Sequence, residues 1–316
     1  MEGLQLIAVG GAEPSRVVTN DDLSKLVDTS DEWITTRTGI RQRYFCAEGE
    51  DTATLAVQAA RQALERSGLQ PAQIGCCVCA TVSGVYAAPS TACLVQRELG
   101  LAQDIPVLDV NAACSGFIYG AAVARGLLAA RPGDARRYAL VIGSEQLSRM
   151  MDMTDRSTCV LFGDGAGAAV LELTPDAEFA VDLGARGDMA IEFPTGGPIR
   201  MDGRAVFRFA VDALPRTLHA VLNAAHRTLD EVDWVVCHQA NSRIIDHCIK
   251  KLGADPAKFY KNMDRHGNTS AASIPVALYE LQESGRLQPG MRIACIGFGG
   301  GLTWGGMLIT VKGSAV

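Results

Sequence analysis

Short apolar segments alternate with longer amphipathic segments along this chain, and this alternation limits the possible folds more than any other sequence feature. In the first half, "TATLAVQAARQALERSG" has the spacing of a helix, "QIGCCVCATV" that of a strand and "STACLVQRELG" that of another helix. The strand "IPVLDV", a helix containing Cys114, and the strands "RRYALVIGSE" and "LFGDGAGAAVLEL" follow. This alternation predicts an α/β fold.

The same order of elements recurs in the second half of the chain. "ALPRTLHAVLNAAHRTL" predicts a helix, "VDWVVCHQA" a strand, "SRIIDHCIKKLG" and "SIPVALYELQESG" two helices, and "RIACIGFGGGLTWGGMLITV" a glycine-hinged strand pair. Two halves of similar length with one pattern indicate an internal structural duplication. We therefore expect halves at residues 1–173 and 174–316, joined near "LTPDAE".

The charge balance and the terminal sequences argue against several classes of partner. Twenty-nine basic and 35 acidic residues give a net charge of −6, and the chain has no dense basic block that would neutralise a nucleic-acid backbone. The N-terminus lacks the features of a secretory signal, and no apolar run approaches the roughly 18 residues of a membrane span. We expect a cytoplasmic protein that binds neither nucleic acid nor membrane.

The cysteines and the glycine-rich stretches do not predict a cofactor. Ten cysteines in a chain without an export signal are expected to be free thiols. Cys76, Cys77 and Cys79 cluster in an apolar strand without a second ligand pair, so core packing is favoured over zinc. "GDGAG" and "GFGGGLTWGG" lack both the dinucleotide-binding pattern and the lysine of a phosphate-binding loop.

Four places along the chain carry residues that a packed core would not need: three single polar residues and one run of glycines. Cys114 sits between a strand and a small-residue helix, His238 directly follows a strand, Asn268 lies in a tight loop, and Gly299–Gly301 expose bare backbone. Singly, these positions fit a core thiol, a structural histidine and a helix cap. Together they supply a nucleophile, a proton-handling group, an amide donor and an exposed turn, which is the inventory of a catalytic site.

At these positions the sequence resembles the β-ketoacyl-acyl carrier protein synthase III family of thiolase-fold condensing enzymes. The resemblance runs essentially end to end and is carried by "TSDEWITTRTGIRQR", "AACSGF", "LFGDGAGAAVL", "CHQANSRI", "DRHGNTSAASIP" and "GFGGGLTWG". It implies two duplicated βαβαβ-type halves in a layered α-β-α-β-α arrangement. It also implies that Cys114, His238 and Asn268 form the catalytic triad.

The implied reaction is a decarboxylative Claisen condensation. A helix N-terminus would favour the thiolate of Cys114, which attacks an acyl-CoA thioester. The family pattern assigns the oxyanion hole to the backbone N–H groups of Cys114 and Gly300. His238 and Asn268 would then donate hydrogen bonds to the enolate that forms when malonyl carrier protein loses carbon dioxide. This chemistry requires no metal or redox cofactor, since coenzyme A enters as part of the substrate.

The resemblance also implies two binding regions outside the triad. Residues that match the coenzyme A site are Trp33, Arg37, Arg156, Phe207 and Asn241. A π face can stack an adenine, and guanidinium groups can bind phosphate. Residues that match the docking patch for the acidic carrier protein are Arg208, Arg243, Lys250 and Lys251; by composition alone they are solvated helix faces.

One position departs from the acetyl-preferring relatives. Ala88 stands where they often hold phenylalanine, at an acyl pocket that the family completes across a dimer interface and to which Phe298 also belongs. Each additional buried methylene contributes about 0.8 kcal/mol, so we expect primers longer than acetyl to be accepted. The stretch "DMAIEFPTGGPIRMDGRAVF" is shorter than in many relatives, which predicts a more open entrance.

Three other interpretations remain open. Cys295 in "CIG" resembles the second catalytic cysteine of a biosynthetic thiolase, although the chain is short for that group. A related acyltransferase of secondary metabolism, of polyketide or quinolone type, would keep the triad and use another acceptor. A catalytically silent scaffold subunit would not need Cys114. The expectation we carry forward is a homodimeric enzyme that condenses acyl-CoA with malonyl carrier protein and starts fatty acid chains.

Overall fold

The computed structural model describes residues 2–175 and 177–312, which form fourteen strands and ten α-helices. The strands are β1 (Gly3–Ala12), β2 (Arg16–Thr19), β3 (Gln42–Phe45), β4 (Ile74–Ala80), β5 (Val107–Val110), β6 (Tyr138–Glu145), β7 (Gly165–Thr174), β8 (Ala180–Asp188), β9 (Ile191–Glu192), β10 (Arg200–Met201), β11 (Trp234–Cys237), β12 (Phe259–Tyr260), β13 (Arg292–Gly299) and β14 (Gly301–Val311). The helices are α1 (Asn20–Ser24), α2 (Asp31–Thr38), α3 (Thr52–Ser67), α4 (Thr91–Leu99), α5 (Gly116–Ala129), α6 (Arg156–Cys159), α7 (Gly203–Ala224), α8 (Ser242–Leu252), α9 (Met263–His266) and α10 (Ser273–Glu283).

The strand order repeats between the two parts of the chain. The first part has the order β1-β7-β6-β4-β5 and the second β8-β14-β13-β11-β12. In both parts, the first two strand pairings in this order are antiparallel and the last two are parallel. A short parallel contact between β1 and β14 joins the two parts.

Helices and strands form five layers, as the family resemblance implies. Helices α3 and α4 cover one face of the first set of strands. Helices α5 and α10 lie between the two sets and contact strands of both. Helices α7 and α8 pack together, and α7 covers the outer face of the second set. The division at residues 173 and 174 stays a prediction; Asp176, inside the expected join, lies outside the described residues.

Two local predictions differ from the structure. The helix expected over residues 213–229 instead begins at Gly203 and ends at Ala224, because the Asp202 carboxylate accepts hydrogen bonds from the Arg204 and Ala205 amides and caps an earlier start. Cys114 is not inside a helix. It lies in a single 3-10 turn, Ala113–Ser115, that precedes α5.

A close backbone approach connects the middle helical layer with the sheet. A Cβ atom at Gly143 on β6 would lie 2.2 Å from the carbonyl oxygen of Ala271, in the 3-10 turn Ser270–Ala272 that leads into α10. No real Cβ contact is that short. The absence of a side chain at Gly143 therefore lets this turn, which follows Asn268, rest directly on the strand.

Candidate active site

One cavity of about 640 Å³ brings together the three polar residues expected to form the triad. Cys114, His238 and Asn268 all line it, although they come from three separate loops. His238 directly follows β11, and Asn268 lies between α9 and α10. Phe298 and Gly299, at the end of β13, line the same cavity.

The turn that holds Cys114 is fixed by neighbours from the second part of the chain. Ala113 has a φ of 45°, an uncommon conformation for a residue with a side chain. The Thr303 hydroxyl lies 3.0 Å from the Ala112 carbonyl oxygen and 3.2 Å from the Ser115 hydroxyl. A Cβ at Gly299 would lie 2.6 Å from the Cys114 nitrogen, so only glycine lets β13 come this close to the nucleophile.

The environment of Cys114 does not favour the thiolate that the sequence led us to expect. The residue is 3% exposed, and burial raises the pKa of its thiol to about 12. The nearby Ser270 hydroxyl and the Cys114 amide lower that pKa only in part, while the Glu145 carboxyl raises it. Desolvation dominates because the buried sulfur has lost its contact with water. The burial of Cys114 therefore favours the thiol over the thiolate.

His238 is held as a neutral hydrogen-bond donor. Burial lowers the pKa of its imidazole to about 3. Its Nδ1 lies 2.7 Å from the Ser273 hydroxyl, and that oxygen also accepts the Gln239 amide at 3.4 Å. We assign the Ser273 hydroxyl proton to Nδ1 because the described hydrogen bonds offer it no other acceptor, and this assignment places the imidazole proton on Nε2. The ring meets Phe298 edge to face, with centroids 5.3 Å apart.

The Asn268 side chain is oriented by its own loop. Its Oδ1 accepts the Ser270 amide at 2.9 Å, and the backbone of Asn268 pairs with Leu161 and Gly163. Because the carbonyl end of the amide is occupied within the loop, the Nδ2 group is the end available for a substrate oxygen. Asn268 does not cap α10, whose N-cap is Ala272.

Of the two residues predicted to form the oxyanion hole, Cys114 lines the cavity and Gly300 does not. Gly299, the residue before Gly300, lines it as well. A Cβ at Gly300 would lie 3.5 Å from the Cβ of Ala113, so the Gly300 backbone passes beside the nucleophile turn. The assignment of the second donor to Gly300 stays a prediction.

The residues expected to bind coenzyme A lie around the same cavity. Trp33, Arg37, Arg156, Phe207 and Asn241 all line it. The guanidinium carbons of Arg37 and Arg156 lie 4.7 and 4.9 Å from the centre of the Trp33 ring. Asn241 also has a structural role, because it caps α8 through the Arg243 amide and donates to the Arg37 carbonyl oxygen at 3.0 Å.

The four expected docking residues fall into two groups. Arg208 and Arg243 are exposed and line the cavity, and the Arg243 guanidinium lies 5.7 Å from the Phe207 ring. Lys250 and Lys251 are exposed near the other end of α8 and are not among the lining residues. Lys251 is paired with Asp212 at 3.5 Å.

Ala88 is not brought to the cavity within a single chain. It is exposed in the loop between β4 and α4, next to Ala87 and Pro89. Phe298, the other expected pocket residue, is buried and lines the cavity.

The other nine cysteines are free thiols, seven of them buried and two half-buried. Cys295 is buried among core residues on β13 and is not among the residues that line the cavity, unlike a second catalytic cysteine. Cys76 packs in a different core cluster from Cys77 and Cys79, so these three thiols do not converge on a common point.

One group of side chains has the composition of a metal site, but its most buried carboxylate already has a cationic partner. Donor atoms of Glu13, His266 and Glu280 lie within 4.8 Å of one another. The Arg265 guanidinium contacts Glu280 at 3.0 Å, and His266 contacts the same carboxylate at 2.9 Å. These contacts connect α9 with α10, and we propose no metal there.

Sequence reasoning missed three polar residues next to the triad. Ser270 and Ser273 lie inside the quoted stretch "DRHGNTSAASIP", and Glu145 ends the buried strand β6. All three are buried. A carboxyl at the end of a mostly apolar strand was the available signal for Glu145, because carboxylates are rarely buried without a partner.

Comparisons with known proteins agree with this geometry. Residues 108–187 match the family profile of 3-oxoacyl-[acyl-carrier-protein (ACP)] synthase III, and residues 222–311 match its C-terminal profile. The chain is 44% identical to the beta-ketoacyl-[acyl-carrier-protein] synthase III of Natranaerobius thermophilus, over 98% of this chain and 99% of that protein.

Solved structures show the same fold. The 3-oxoacyl-[acyl-carrier-protein] synthase III of Aquifex aeolicus VF5 superposes with a TM-score of 0.92 at 42% identity, covering 98% of this chain and 100% of the other. The priming beta-ketosynthase of the R1128 polyketide biosynthetic pathway superposes with a TM-score of 0.90 at 32% identity, covering 99% of this chain and 97% of the other.

Within the described residues, no helix combines the length and apolarity needed to cross a bilayer.

Full-length similarity and the five-layered duplicated fold lead to one assignment: this chain belongs to the β-ketoacyl-acyl carrier protein synthase III family of condensing acyltransferases.

Proposed function

We propose that Cys114 takes an acyl group from acyl-CoA and that His238 and Asn268 then direct its condensation with malonyl carrier protein, which starts a fatty acid chain. The observation that carries this proposal is the shared cavity. The thiol and the two neutral donors lie in it, and the Trp33–Arg37–Arg156 cluster lines it as well. The proposal uses no metal or redox cofactor, because hydrogen-bond donors hold each negative charge that develops.

In the first half-reaction, the Cys114 sulfur bonds to the thioester carbonyl carbon, and the carbon–sulfur bond to coenzyme A breaks. The proton of the Cys114 thiol ends on the departing coenzyme A sulfur. Backbone N–H groups of Cys114 and Gly300 hold the oxyanion between these events. The coenzyme A phosphates would lie among Arg37, Arg156 and the neighbouring positive residues of the cavity.

In the second half-reaction, malonyl thioester loses carbon dioxide and leaves an enolate. Nε2–H of His238 and Nδ2–H of Asn268 are the donors for its oxygen. A neutral imidazole suits this task, because it can donate a hydrogen bond without giving up its proton. The enolate carbon then attacks the acyl group on Cys114, and the sulfur leaves with the electron pair of the broken bond. One proton from solvent, which the overall decarboxylative reaction consumes, restores the Cys114 thiol.

We further propose a cytoplasmic homodimer in which the loop that carries Ala88 meets its partner copy. Tyr86 in that loop is 58% exposed, and its neighbours Ala87, Ala88 and Pro89 are exposed too. An apolar surface of this kind is typical of an interface. The ten free cysteines fit a reducing compartment.

Covalent acylation is the first test of the function. Brief incubation with acetyl-, butyryl- or octanoyl-CoA should add one acyl mass to the intact protein, and Cys114→Ala should abolish the adduct. The acylated protein should then convert malonyl carrier protein into 3-oxoacyl carrier protein, as seen by mass spectrometry. An adduct that persists in Cys114→Ala would disprove the nucleophile. An acylated protein that does not react with malonyl carrier protein would favour the alternative function, an acyltransferase of secondary metabolism.

Chain-length selection tests the role of Ala88. If a partner copy places this residue at the acyl pocket, Ala88→Phe should slow acylation by octanoyl-CoA at least about tenfold and leave acetyl-CoA nearly unaffected, because the ring fills space for several methylenes. Ala87→Phe, in the same exposed loop, is the matched control. An unchanged profile in Ala88→Phe would remove this residue from the pocket.

Ser273→Ala tests the orientation of His238. Loss of a neutral hydrogen bond costs about 1 kcal/mol, and the imidazole would also be free to change tautomer. We expect decarboxylation of malonyl carrier protein by the acyl-enzyme to fall about five- to tenfold, with a smaller effect on Cys114 acylation. Ser273→Thr, which keeps the hydroxyl, should recover much of the loss. Equal losses in both half-reactions would contradict this role.

Lys250→Glu tests carrier-protein docking better than a change at Arg243, because Arg243 also lines the cavity. Lys250 lies seven residues further along α8, about 10 Å away at the helical rise. Charge reversal there should raise the KM for malonyl carrier protein several-fold at low salt, less at high salt, and spare acylation by acyl-CoA. Lys250→Gln should give an intermediate effect. An unchanged KM would exclude this part of α8 from docking.

A further inference from the structure

Glu145 is a buried carboxyl with no cationic partner among the described residues. It ends β6, has no solvent exposure, and takes part in no ion pair. Its Oε2 accepts the hydroxyls of Ser83 at 2.6 Å and Thr81 at 3.1 Å, together with the Val82 amide at 3.1 Å. Its Oε1 has one long contact, 3.3 Å from the same amide. A buried carboxyl without a countercharge is costly, so its presence needs a functional reason.

Ser270 combines two further costs in one residue. Its φ is 48°, a strained conformation for a residue with a side chain. It is fully buried, and its Oγ has no partner within hydrogen-bonding geometry in the described structure. An unsatisfied buried hydroxyl is a second destabilising feature. Strain and an unpaired polar atom at the same residue, beside a nucleophile, are typical of a functional position.

Ser270 lies between the nucleophile and the buried carboxyl. Its turn, Ser270–Ala272, packs against both the Cys114 turn and β6. The hydroxyl favours the charged form of both the Cys114 thiol and the Glu145 carboxyl, although it forms a regular hydrogen bond with neither group. The packing of this turn therefore places Ser270 between the turn that carries Cys114 and the strand that ends in Glu145.

We propose that Ser270 and Glu145 form a proton relay that receives the Cys114 thiol proton during acylation, an inference that rests on the proposed function. The thiol proton moves to Ser270 Oγ while the original Ser270 hydroxyl proton moves to Glu145. The sulfur then bonds to the thioester carbon, and the bond to the coenzyme A sulfur breaks. Glu145 returns its proton through Ser270 to the leaving sulfur, so protons and electrons balance over the step.

The alternative acceptor, His238, is poorly suited to this proton. Its Nδ1 is occupied by Ser273, and burial lowers the pKa of its imidazole to about 3. Burial instead raises the pKa of Glu145 to about 7, against the opposing effect of its hydroxyl and amide donors. The titratable groups that face this carboxyl are the thiols of Cys114 and Cys79, both with pKa values raised by burial. Glu145 is therefore the stronger base.

The experiment compares single-turnover acylation of wild type, Ser270→Ala, Glu145→Gln and the double variant between pH 5.5 and 9, using whichever of acetyl-, butyryl- and octanoyl-CoA reacts fastest. We expect the wild-type rate to rise with pH to a plateau, with a midpoint near 7, since the base form of Glu145 is present above its pKa. Each single variant should be about 10- to 100-fold slower at pH 7 and lose that midpoint. The double variant should be no slower than the slower single one.

Two controls separate a relay from a structural defect. Alanine is compatible with the Ser270 backbone, because Ala113 adopts a φ of 45° in the same structure. In the pre-acylated protein, Ser270→Ala should decarboxylate malonyl carrier protein within about twofold of wild type, because the acylated sulfur carries no proton. Thr217→Val removes another fully buried, unpartnered hydroxyl that is not among the cavity-lining residues, and it should leave both half-reactions unchanged.

The outcomes distinguish this inference from the function on which it rests. Acylation rates within twofold of wild type in Ser270→Ala, or a midpoint near 7 that persists in Glu145→Gln, would overturn the relay and leave Cys114 as acyl acceptor. If Glu145→Gln fails to fold, a wild-type rate without a midpoint between pH 6 and 8 would overturn it equally. Absence of any Cys114 adduct in wild type would instead refute the proposed function.

Discussion

Backbone contact at two glycines holds the site together. At Gly299 the end of β13 lies against the Cys114 amide, and at Gly143 strand β6 lies against the turn that follows Asn268. A methyl group at either position would meet backbone atoms at 2.6 Å or less, and backbone cannot move aside as a flexible side chain can. The nucleophile from the first part of the chain and the donors from the second share one cavity because these contacts leave no gap.

Close packing also sets the electrostatics at the base of the cavity. Water is excluded from Cys114, His238 and Glu145, so each is displaced toward its neutral form: pKa values rise for the thiol and the carboxyl and fall for the imidazole. The resting site therefore holds little net charge. In the proposed reaction, negative charge develops at oxygens that meet preorganised donors, and such donors act most strongly where water does not compete.

Sequence patterns identified most of the fold and the three central polar residues, because these depend on local periodicity and on short motifs. Cys114 and His238 adjoin apolar segments, Asn268 lies in a tight loop, and the structure brings all three to one cavity. The ionisation state of Cys114 could not be predicted in this way. It depends on desolvation by residues distant in sequence, and that effect exceeds the opposing effects of the Ser270 hydroxyl and the Cys114 amide. The sequence analysis did not predict that α7 begins at Gly203, because an aspartate such as Asp202 is as common in loops as at helix N-caps.

The two serines show a different limit of sequence reasoning. Ser270 and Ser273 are three residues apart in the same motif, and nothing local separates their roles. The structure does so through backbone conformation and partners: Ser273 contacts His238, whereas Ser270 adopts a positive φ and keeps its hydroxyl unpaired. Both properties arise from tertiary packing, which no pattern of residue types specifies.

The arginine cluster around Trp33 is exposed to solvent, unlike the buried residues at the base of the cavity. Arg37 and Arg156 are exposed, and both flank the half-buried Trp33 ring. A cation over an exposed aromatic ring contributes only about 0.5–1 kcal/mol, so in the proposed coenzyme A complex an incoming adenine would displace one guanidinium at small cost. The displaced group would keep its charge and remain available for phosphate. Binding as proposed would thus use groups that rearrange in water, whereas the proposed chemistry would use groups fixed by packing, and both sets of groups line the same cavity.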